Sequence, residues 1–446
     1  MNIIIAGDGE VGFFLAKLLT KNNHSITVVD PNEELLKMLE SEADLLCITG
    51  DSTSLSVLKE ADVSKADLLI SVLHDEKTNL LTCILGKKMG AKRTIARVNS
   101  VGCLEERNIS FFNELGVDEL VMPESIAAEE IVALLEQSAA TEVHDFGNGK
   151  LQMFQYKLTR DALVTGMTLA QVAQKHPHLD FRAVAIHRRG KTIIPTGNDK
   201  FFANDLVYVI SKPEGIDLLL ELSGKESFSI KNVMIIGSGR IGWKTAYGLQ
   251  NERNVKLIDI DKHRCEEAAT KLSKTLVING DAHNVQLLED EGIEEMDALI
   301  SVTQDSEMNM FLCLLARKYG VKKVIPLVDN IDYIDIAQNI GINTIINKKL
   351  ITASYIARFT MNKEVAGVTF LSGIDADVLE FVVKEGAPIT KRPLKKIKMP
   401  EGAIIGGFTR DEKGYIAVAE TQIVAGDTVV VLSLPEAVNK VTRLFS

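Results

Sequence analysis

The sequence predicts an α/β protein made of two tandem halves, each a Rossmann-like doubly wound parallel sheet followed by a small α+β C-terminal domain. Three observations carry this. Apolar β-branched runs alternate with helix-period stretches, a glycine-rich turn follows the first such run, and the whole arrangement recurs past the middle of the chain. "NIIIAGDGEVGFFLAKLL" from Asn2 aligns without a gap with "NVMIIGSGRIGWKTAYGL" from Asn232. "SITVVD" ending at Asp30 answers "NVKLID" ending at Asp259, and "ITGD" ending at Asp51 answers "INGD" ending at Asp281. "ADLLISVLHDEKTNLL" from Ala66 answers "MDALISVTQDSEMNMF" from Met296. Solenoid repeats run about 20 to 50 residues, so similarity at this length marks a duplicated domain.

Within the first half, the runs Ile3 to Ala6, Ile26 to Val29, Leu45 to Thr49, Leu68 to Leu73 and Thr94 to Val98 read as strands. Helical stretches such as Glu33 to Glu40 and Lys77 to Met89 separate them. Strand alternating with helix gives a parallel sheet covered on both faces, which is why the strands are continuously apolar. After a further strand over Asp118 to Met122, "PESIAAEEIVALLEQ" places Pro at the first turn of a helix that links the large domain to the small one. "KKLITASYIARFTM" is its counterpart.

A weaker echo covers the small domains: "VAIHRRGKTIIPTGNDKFFANDLVYVIS" from Val184 parallels "IGGFTRDEKGYIAVAETQIVAGDTVVVLS" from Ile405. Turn signals at "RRGK", "ANDL", "DEKG" and "AGDT" separate short strands. The predicted boundaries are 1–140 and 229–362 for the nucleotide-type domains and 141–224 and 363–446 for the small ones, with "SGKESFSIKN" as the linker between halves.

The chain has 446 residues, which exceeds what one core fills and implies several domains of roughly 100 to 150 residues. Hydrophobic residues make up 46% and charged residues 25%, a folded globular composition. A net charge of -11 argues against nucleic acid as a partner, because nucleic-acid binders present a cationic surface to phosphates. The 5 cysteines have no CxxC spacing and read as reduced thiols. Four read as packing residues, and Cys103, after a glycine at a helix start, as more exposed. The opening residues enter a strand at once, with no basic n-region or h-region, so no export signal is expected. No apolar run approaches the roughly 18 to 20 residues that span a bilayer.

In Gly7-Asp8-Gly9-Glu10-Val11-Gly12 the first glycine permits a tight strand-to-helix turn. The second lets backbone approach a pyrophosphate, and the third lets helix and sheet pack closely. The helix N-terminus then offers unpaired N–H groups and a positive dipole end to the phosphates. Asp30, ending the next strand, can accept hydrogen bonds from ribose hydroxyls and would repel a 2′-phosphate, which favours NAD(H) or adenine nucleotides over NADP. Gly237-Ser238-Gly239-Arg240-Ile241-Gly242 with Asp259 repeats the pattern. The alternative is a duplicated fold that keeps these glycines for packing alone.

The two loops differ at one telling position: Glu10 stands where the second half has Arg240, and an arginine there can reach a terminal phosphate that a glutamate repels. NAD(H) is therefore expected in the first half and ATP or ADP in the second. Arg97 aligns with Leu327; it reads equally as a phosphate clamp or as half of a structural ion pair. Asp51 and Asp281 read as adenosine contacts or as caps of the following helix.

No stretch offers HExxH, a nucleophile elbow or paired Cys/His spacing, and His176 and His178 have no third ligand near them, so no metal and no catalytic residue is expected. Two basic runs, "HRRGK" at 187–191 and "KRPLKKIK" at 391–398, read as solvated faces or as contacts for anionic lipid or an acidic partner. An NAD-dependent oxidoreductase with duplicated Rossmann domains, and a nucleotide sensor for some other partner, are the rival readings.

The layout, with "IIIAGDGEVG", "ITVVD", "LLISVLHDEKTN", "TIARV", "MIIGSGRIG", "VKLID", "INGDA", "ALISVTQDSEMN" and "AGDTVVVL", resembles the regulatory subunits of bacterial Trk potassium-uptake systems over essentially the whole chain. That family is built of two tandem regulator-of-potassium-conductance (RCK) units. The resemblance implies a cytoplasmic protein, peripheral on the inner face of the cell membrane and without transport activity of its own. It implies a homo-oligomer, a ring-like tetramer, beneath a membrane-embedded potassium-translocating Trk subunit that bound nucleotide opens or closes. By the same resemblance the nucleotide contacts Gly7 to Val11, Asp30, Leu73, His74 and Arg97 in the first half, and Gly237 to Ile241, Asp259, Thr303 and Gln304 in the second.

Overall fold

A computed structural model of the chain describes residues 1–446 except 8, 21–23, 137–139, 141, 148, 177–179, 225–227, 361–364, 372–373 and 446, together with the side chains of Glu10 and Asp217. By their contacts the described residues form two compact units. One comprises Met1–Ile126 with Lys348–Thr360, the other the remainder of the chain.

The first unit is built on a six-stranded parallel sheet. From edge to edge it runs Leu46–Thr49, Ser25–Asp30, Asn2–Ala6, Leu68–Ser71, Thr94–Arg97 and Glu119–Val121, which in chain order is 3-2-1-4-5-6. Ile3, Ile5, Leu68, Leu69 and Ile70 are all at 0% exposure, as strands covered by helices on both faces require. The order reverses between Asn2–Ala6 and Leu68–Ser71, and the carboxyl ends of those two strands frame a crevice of the kind that takes ligands in open α/β sheets. Side-chain caps set the helix starts: Asn32 accepts from Glu34 and Leu35 N–H ahead of Glu33–Glu42, and Asp75 accepts from Thr78 N–H ahead of Glu76–Met89. Gly90, at φ 118°, ends the latter in the left-handed region.

The helix Lys348–Ala357, which the sequence places between the second large domain and the second small one, packs within this first unit against the helix Glu10–Thr20. Arg93 stacks over the Phe359 ring at 5.0 Å from its centroid. Sequence adjacency alone could not reveal that this helix shares a core with residues so far away in the chain.

The second unit holds another parallel sheet, Thr275–Asn279, Asn254–Asp259, Asn232–Ile236, Ala298–Ser301 and Lys323–Pro326, in chain order 3-2-1-4-5. In place of a sixth strand there is one parallel bridge, Leu327 to Ile346. Val132, in the helix Pro123–Glu136, lies 3.1 Å from where a Cβ on Gly248 would stand, so this linking helix packs on the second large domain. The buried Lys323 ammonium donates to the Ala140 carbonyl at the foot of the same connection.

Two five-stranded sheets complete the second unit. The first runs Lys191–Ile193, Phe181–Arg188, Leu206–Ser211, Leu151–Lys157, Glu142–Phe146; the second runs Val365–Phe370, Asp377–Val382, Thr428–Ser433, Ala403–Arg410, Lys413–Ile416. Every pairing in them is antiparallel. They share one apolar core, in which Leu151, Val184 and Ile210 meet Val378, Val430 and Leu432. Arg182 of the first sheet donates to the Ala417 carbonyl beside the second.

The weak sequence echo between these small domains has a structural root in a matched ion pair. Arg188 donates from Nε and Nη2 to the two carboxylate oxygens of Asp205, each at 2.7 Å, and Arg410 does the same to Asp427 at 2.7 Å. Both aspartates are 1% exposed and each also accepts a backbone N–H, from Phe202 and from Val424. Arg188 is thus bound inward, and the run 187–191 is not the uniformly solvated face its composition suggests. Of the cysteines, Cys83, Cys265 and Cys313 are buried, and Cys47 joins Cys103 in being partly exposed.

One titratable cluster sits where the linking helix meets the first small domain. His144 pairs with Glu142 at 2.9 Å. Burial pushes the Glu130 carboxyl up to about 7, the Glu142 charge adding to it against the pull of His144. Burial also lowers the His144 imidazole, but its hydrogen bond to Glu142 and the charges of Glu142, Glu130 and Asp145 outweigh that and raise it. Both groups hold protons in the folded state that the unfolded chain has released, so stability falls as pH rises. For Glu130 the loss runs from 4.5 to about 7; for His144 it continues as pH passes through the raised imidazole value. Glu130→Gln is expected to raise stability at pH 8 by on the order of 1–3 kcal/mol and to change little at pH 4.5, read by urea unfolding at both values. Equal gains at the two pH values would contradict this.

Candidate functional site

The second glycine loop shows three glycines needed for three different reasons. Gly237 has φ 100°, and a Cβ there would stand 3.0 Å from the Val302 carbonyl oxygen, so the turn off Asn232–Ile236 needs both its conformation and its bareness. Gly239 caps the helix Arg240–Leu249, and a Cβ on it would meet nothing within 4 Å. Packing therefore does not demand that glycine, and the open space beside the helix start suits a close-approaching diphosphate. At Gly242 a Cβ would lie 1.8 Å from the Gly237 carbonyl oxygen, so the helix can sit this close to the turn only with glycine. The start of this helix, with its positive dipole end, lies beside that open space.

Asp259, 8% exposed, ends the neighbouring strand and holds this loop in shape. Its Oδ2 accepts from Ser238 N–H at 2.6 Å and from Ser238 Oγ at 2.8 Å, and its Oδ1 accepts from Asp261 N–H at 2.9 Å. A carboxylate offers about four acceptor positions, so three are in use and a ribose hydroxyl would share Oδ1 or displace Ser238 Oγ. Ile241 is buried beneath the loop at 5% and Arg240 is exposed at the first helical position.

In the first half, Gly7 N–H donates to the Val29 carbonyl at 3.3 Å. A Cβ on Gly12 would stand 3.1 Å from Gly7 Cα, a milder conflict than at Gly242. A Cβ on Gly9 would lie 3.4 Å from His74 Nε2, which puts the exposed imidazole at the mouth of the loop. Asp30 is at 0% exposure and its Oδ1 accepts from Asn32 N–H at 2.7 Å. Val11 is partly buried; Asp8 and the Glu10 side chain lie outside the described residues.

Asp51 and Asp281 build the turns that precede helices. Asp51 Oδ1 accepts from Thr53 N–H at 2.8 Å and from Thr53 Oγ1 at 2.7 Å, one residue before Ser54 caps Leu55–Glu60. Asp281 accepts from His283 N–H at 2.9 Å and pairs with the His283 ring, just before Asn284 caps Val285–Asp290. These hydrogen bonds hold both carboxyls below their ordinary values.

The opposite wall of each crevice follows the fourth strand. Leu73 is 6% exposed and Thr303 partly buried, whereas His74 and Gln304 are exposed. Arg97 turns to Glu124, with Nη2 to Oε1 at 3.0 Å and the two side chains 14% and 10% exposed. Of its two sequence readings, the ion pair is the one present. Leu327 is 3% exposed and buried in the core.

Two residues that sequence reasoning passed over organise this wall. Asn79, at 0% exposure, accepts on Oδ1 from Ser71 Oγ at 2.9 Å and Leu73 N–H at 2.8 Å, and donates from Nδ2 to the Leu73 and Arg97 carbonyls, each at 2.9 Å. Asn309, also at 0%, accepts from Ser301 Oγ at 2.9 Å, Thr303 N–H at 3.0 Å and Thr303 Oγ1 at 2.7 Å, and donates to the Thr303 and Leu327 carbonyls at 3.1 and 2.9 Å. The signal was an asparagine at matching positions of both repeats, on a helix face that must be buried.

Family models match nearly the whole of this layout: the TrkA-N domain over residues 3–123 and 233–348, and the TrkA-C domain over residues 153–224 and 378–446. The chain belongs to the TrkA family. Among TrkA relatives, Trk system potassium uptake protein TrkA homolog 1 of Methanosarcina mazei is 30% identical over 454 residues, covering 100% of both chains. Trk system potassium uptake protein TrkA of Haemophilus influenzae is 32% identical, covering 100% of this chain and 98% of its own. Among solved structures, the RCK domain of GsuK superposes with TM-score 0.62 at 20% identity, over 100% of this chain and 94% of that one. The GsuK channel bound to NAD superposes with TM-score 0.61 at 20% identity, over 100% and 78%. The tandem RCK architecture expected of TrkA proteins is therefore the fold of this chain. Among the described residues no helix is long and apolar enough to cross a membrane, and none group as a metal site.

Proposed function

We propose that this TrkA protein is the nucleotide-responsive regulatory subunit of a potassium-uptake system and carries two nucleotide sites per chain. The observation that supports the reading most is the pair of glycine loops, each opening a helix beside a buried aspartate at the end of the next strand. Open space at Gly239 and the helix start beside it fit a diphosphate. In the first half Gly7 to Val11, Asp30, Leu73 and His74 would hold NAD(H), with Arg97 facing the same crevice from its pair with Glu124. In the second, Gly237 to Ile241, Asp259, Thr303 and Gln304 would hold ATP or ADP, with Arg240 for the terminal phosphate and Asp51 and Asp281 shaping the adenosine side of each site.

The partner is a membrane-embedded potassium-translocating subunit, and a tetrameric ring of this chain acts on it from the inner face of the membrane. Neither site consumes its ligand. If one nucleotide binds one ring geometry tenfold better than another, each site contributes about 1.4 kcal/mol to the bias, and several coupled sites add. The test is potassium flux into vesicles carrying the membrane subunit and the full chain. Exchanging NAD for NADH, or ATP for ADP, is expected to change flux several-fold. The same flux with every nucleotide and with none would contradict the reading.

A further inference from the structure

We propose that Asn79 and Asn309 are positioning residues of the two nucleotide sites, each fixing the loop opposite the glycine turn and tying it to the start of a linking helix. The inference rests on the nucleotide reading above and deepens it. Both asparagines are wholly buried, and their amides take part in four and five hydrogen bonds respectively, all to groups lining or backing the crevice. A helical core position has no need of such a group: an apolar side chain would pack without desolvating an amide. What the asparagine supplies is a fixed height for the main chain of Leu73 and Thr303, because both the N–H and the carbonyl of those residues are bound to the same amide. His74, at the mouth of the first glycine loop, and Gln304 follow directly, so their main chain is set from one residue away.

The second bond of each Nδ2 runs outward. In the first half it reaches the Arg97 carbonyl, and the Arg97 guanidinium in turn holds Glu124, the second residue of the helix Pro123–Glu136. In the second half it reaches the Leu327 carbonyl. Leu327 bridges to Ile346, and Asn347 donates to the Val328 carbonyl at 2.8 Å immediately before the helix Lys348–Ala357 begins. In the first half these contacts reach Glu124, in the first turn of the linking helix, and in the second they reach Asn347, the residue before the helix begins, each path starting from the matching asparagine. A ligand that pulls on the loop after the fourth strand would be felt at the helix start.

The test uses the full chain and its variants Asn79→Asp and Asn309→Asp, which keep the side chain's size and acceptor oxygen and remove both donors. Calorimetry with NAD and ADP is run well below the midpoint of thermal unfolding, with hydrogen exchange measured over residues 123–136 and 348–357. Asn79→Asp is expected to weaken the first site at least tenfold, leave the second within twofold, and abolish ligand-induced protection of 123–136. Asn309→Asp is expected to do the converse. Should either variant fail to fold, Ser71→Ala and Ser301→Ala, each removing a single bond to the asparagine, are expected to weaken the matching site two- to fivefold. Variants that melt earlier yet bind with wild-type affinity and protect the helix normally would overturn the proposal. A wild-type chain that binds neither ligand would instead overturn the nucleotide reading on which it rests.

Discussion

Gly242→Ala is expected to destroy the second nucleotide site and to unfold the large domain around it, while Gly12→Ala at the matching position weakens only the first site. The added methyl at 242 would stand 1.8 Å from the Gly237 carbonyl oxygen, a distance no rotamer adjustment relieves because both partners are backbone. Gly237 cannot give way either, since it is held at φ 100° with its N–H on the Ile258 carbonyl at 2.8 Å and with the Val302 backbone behind it. The helix must therefore move off the sheet. That exposes Ile241 and strips the buried contacts of Ala246 and Leu249, a loss of at least about 4 kcal/mol on the scale of disrupted cores. At Gly12 the nearest atom is Gly7 Cα at 3.1 Å, which a shift of a few tenths of an ångström relieves, at a cost of about 1–2 kcal/mol. Urea unfolding of the two variants side by side checks the contrast. Equal destabilisation would mean that the two turns are built alike.

The second large effect lies in the small domains. Asp427→Ala should destabilise the chain by about 3 kcal/mol, because it leaves the Arg410 guanidinium without its two-pronged partner and the Val424 amide without an acceptor. Asp205→Ala should cost a similar amount through Arg188 and Phe202. The two sheets share one core, so loss of either aspartate should lower the same unfolding transition in calorimetry rather than split it. A change of less than about 0.5 kcal/mol for either would class that pair with exposed ion pairs, which contribute little.

The repeat, the parallel doubly wound sheets and the two glycine loops were legible in the sequence because each rests on local rules: β-branched runs between helical periods, glycines where a turn and a close helix approach need them, and an acid at the end of the next strand. Asp30 and Asp259 were found for the same reason. Their surroundings were not, since nothing in "IGSG" announces that Ser238 will occupy the carboxylate of Asp259. Asn79 and Asn309 were overlooked because a polar residue within a helical stretch reads as exposed, and only the three-dimensional meeting of two strand ends makes it a buried staple. Arg97 offered two readings that only the position of Glu124, on an element beyond the next strand, could separate. The packing of Lys348–Thr360 within the first unit is a long-range choice, invisible to any window of sequence. In the small domains the turns differ in length between copies, which blurred an echo that the Arg188–Asp205 and Arg410–Asp427 pairs make plain.

The most direct test of two nucleotide sites per chain is isothermal titration of the purified protein with NAD, NADH, ATP and ADP. The expected result is saturable binding at two sites per chain, NAD(H) at one and an adenosine phosphate at the other, with Asp30→Ala removing the first alone. A chain that remains folded and gives no binding heat with any of the four at millimolar concentration would contradict it.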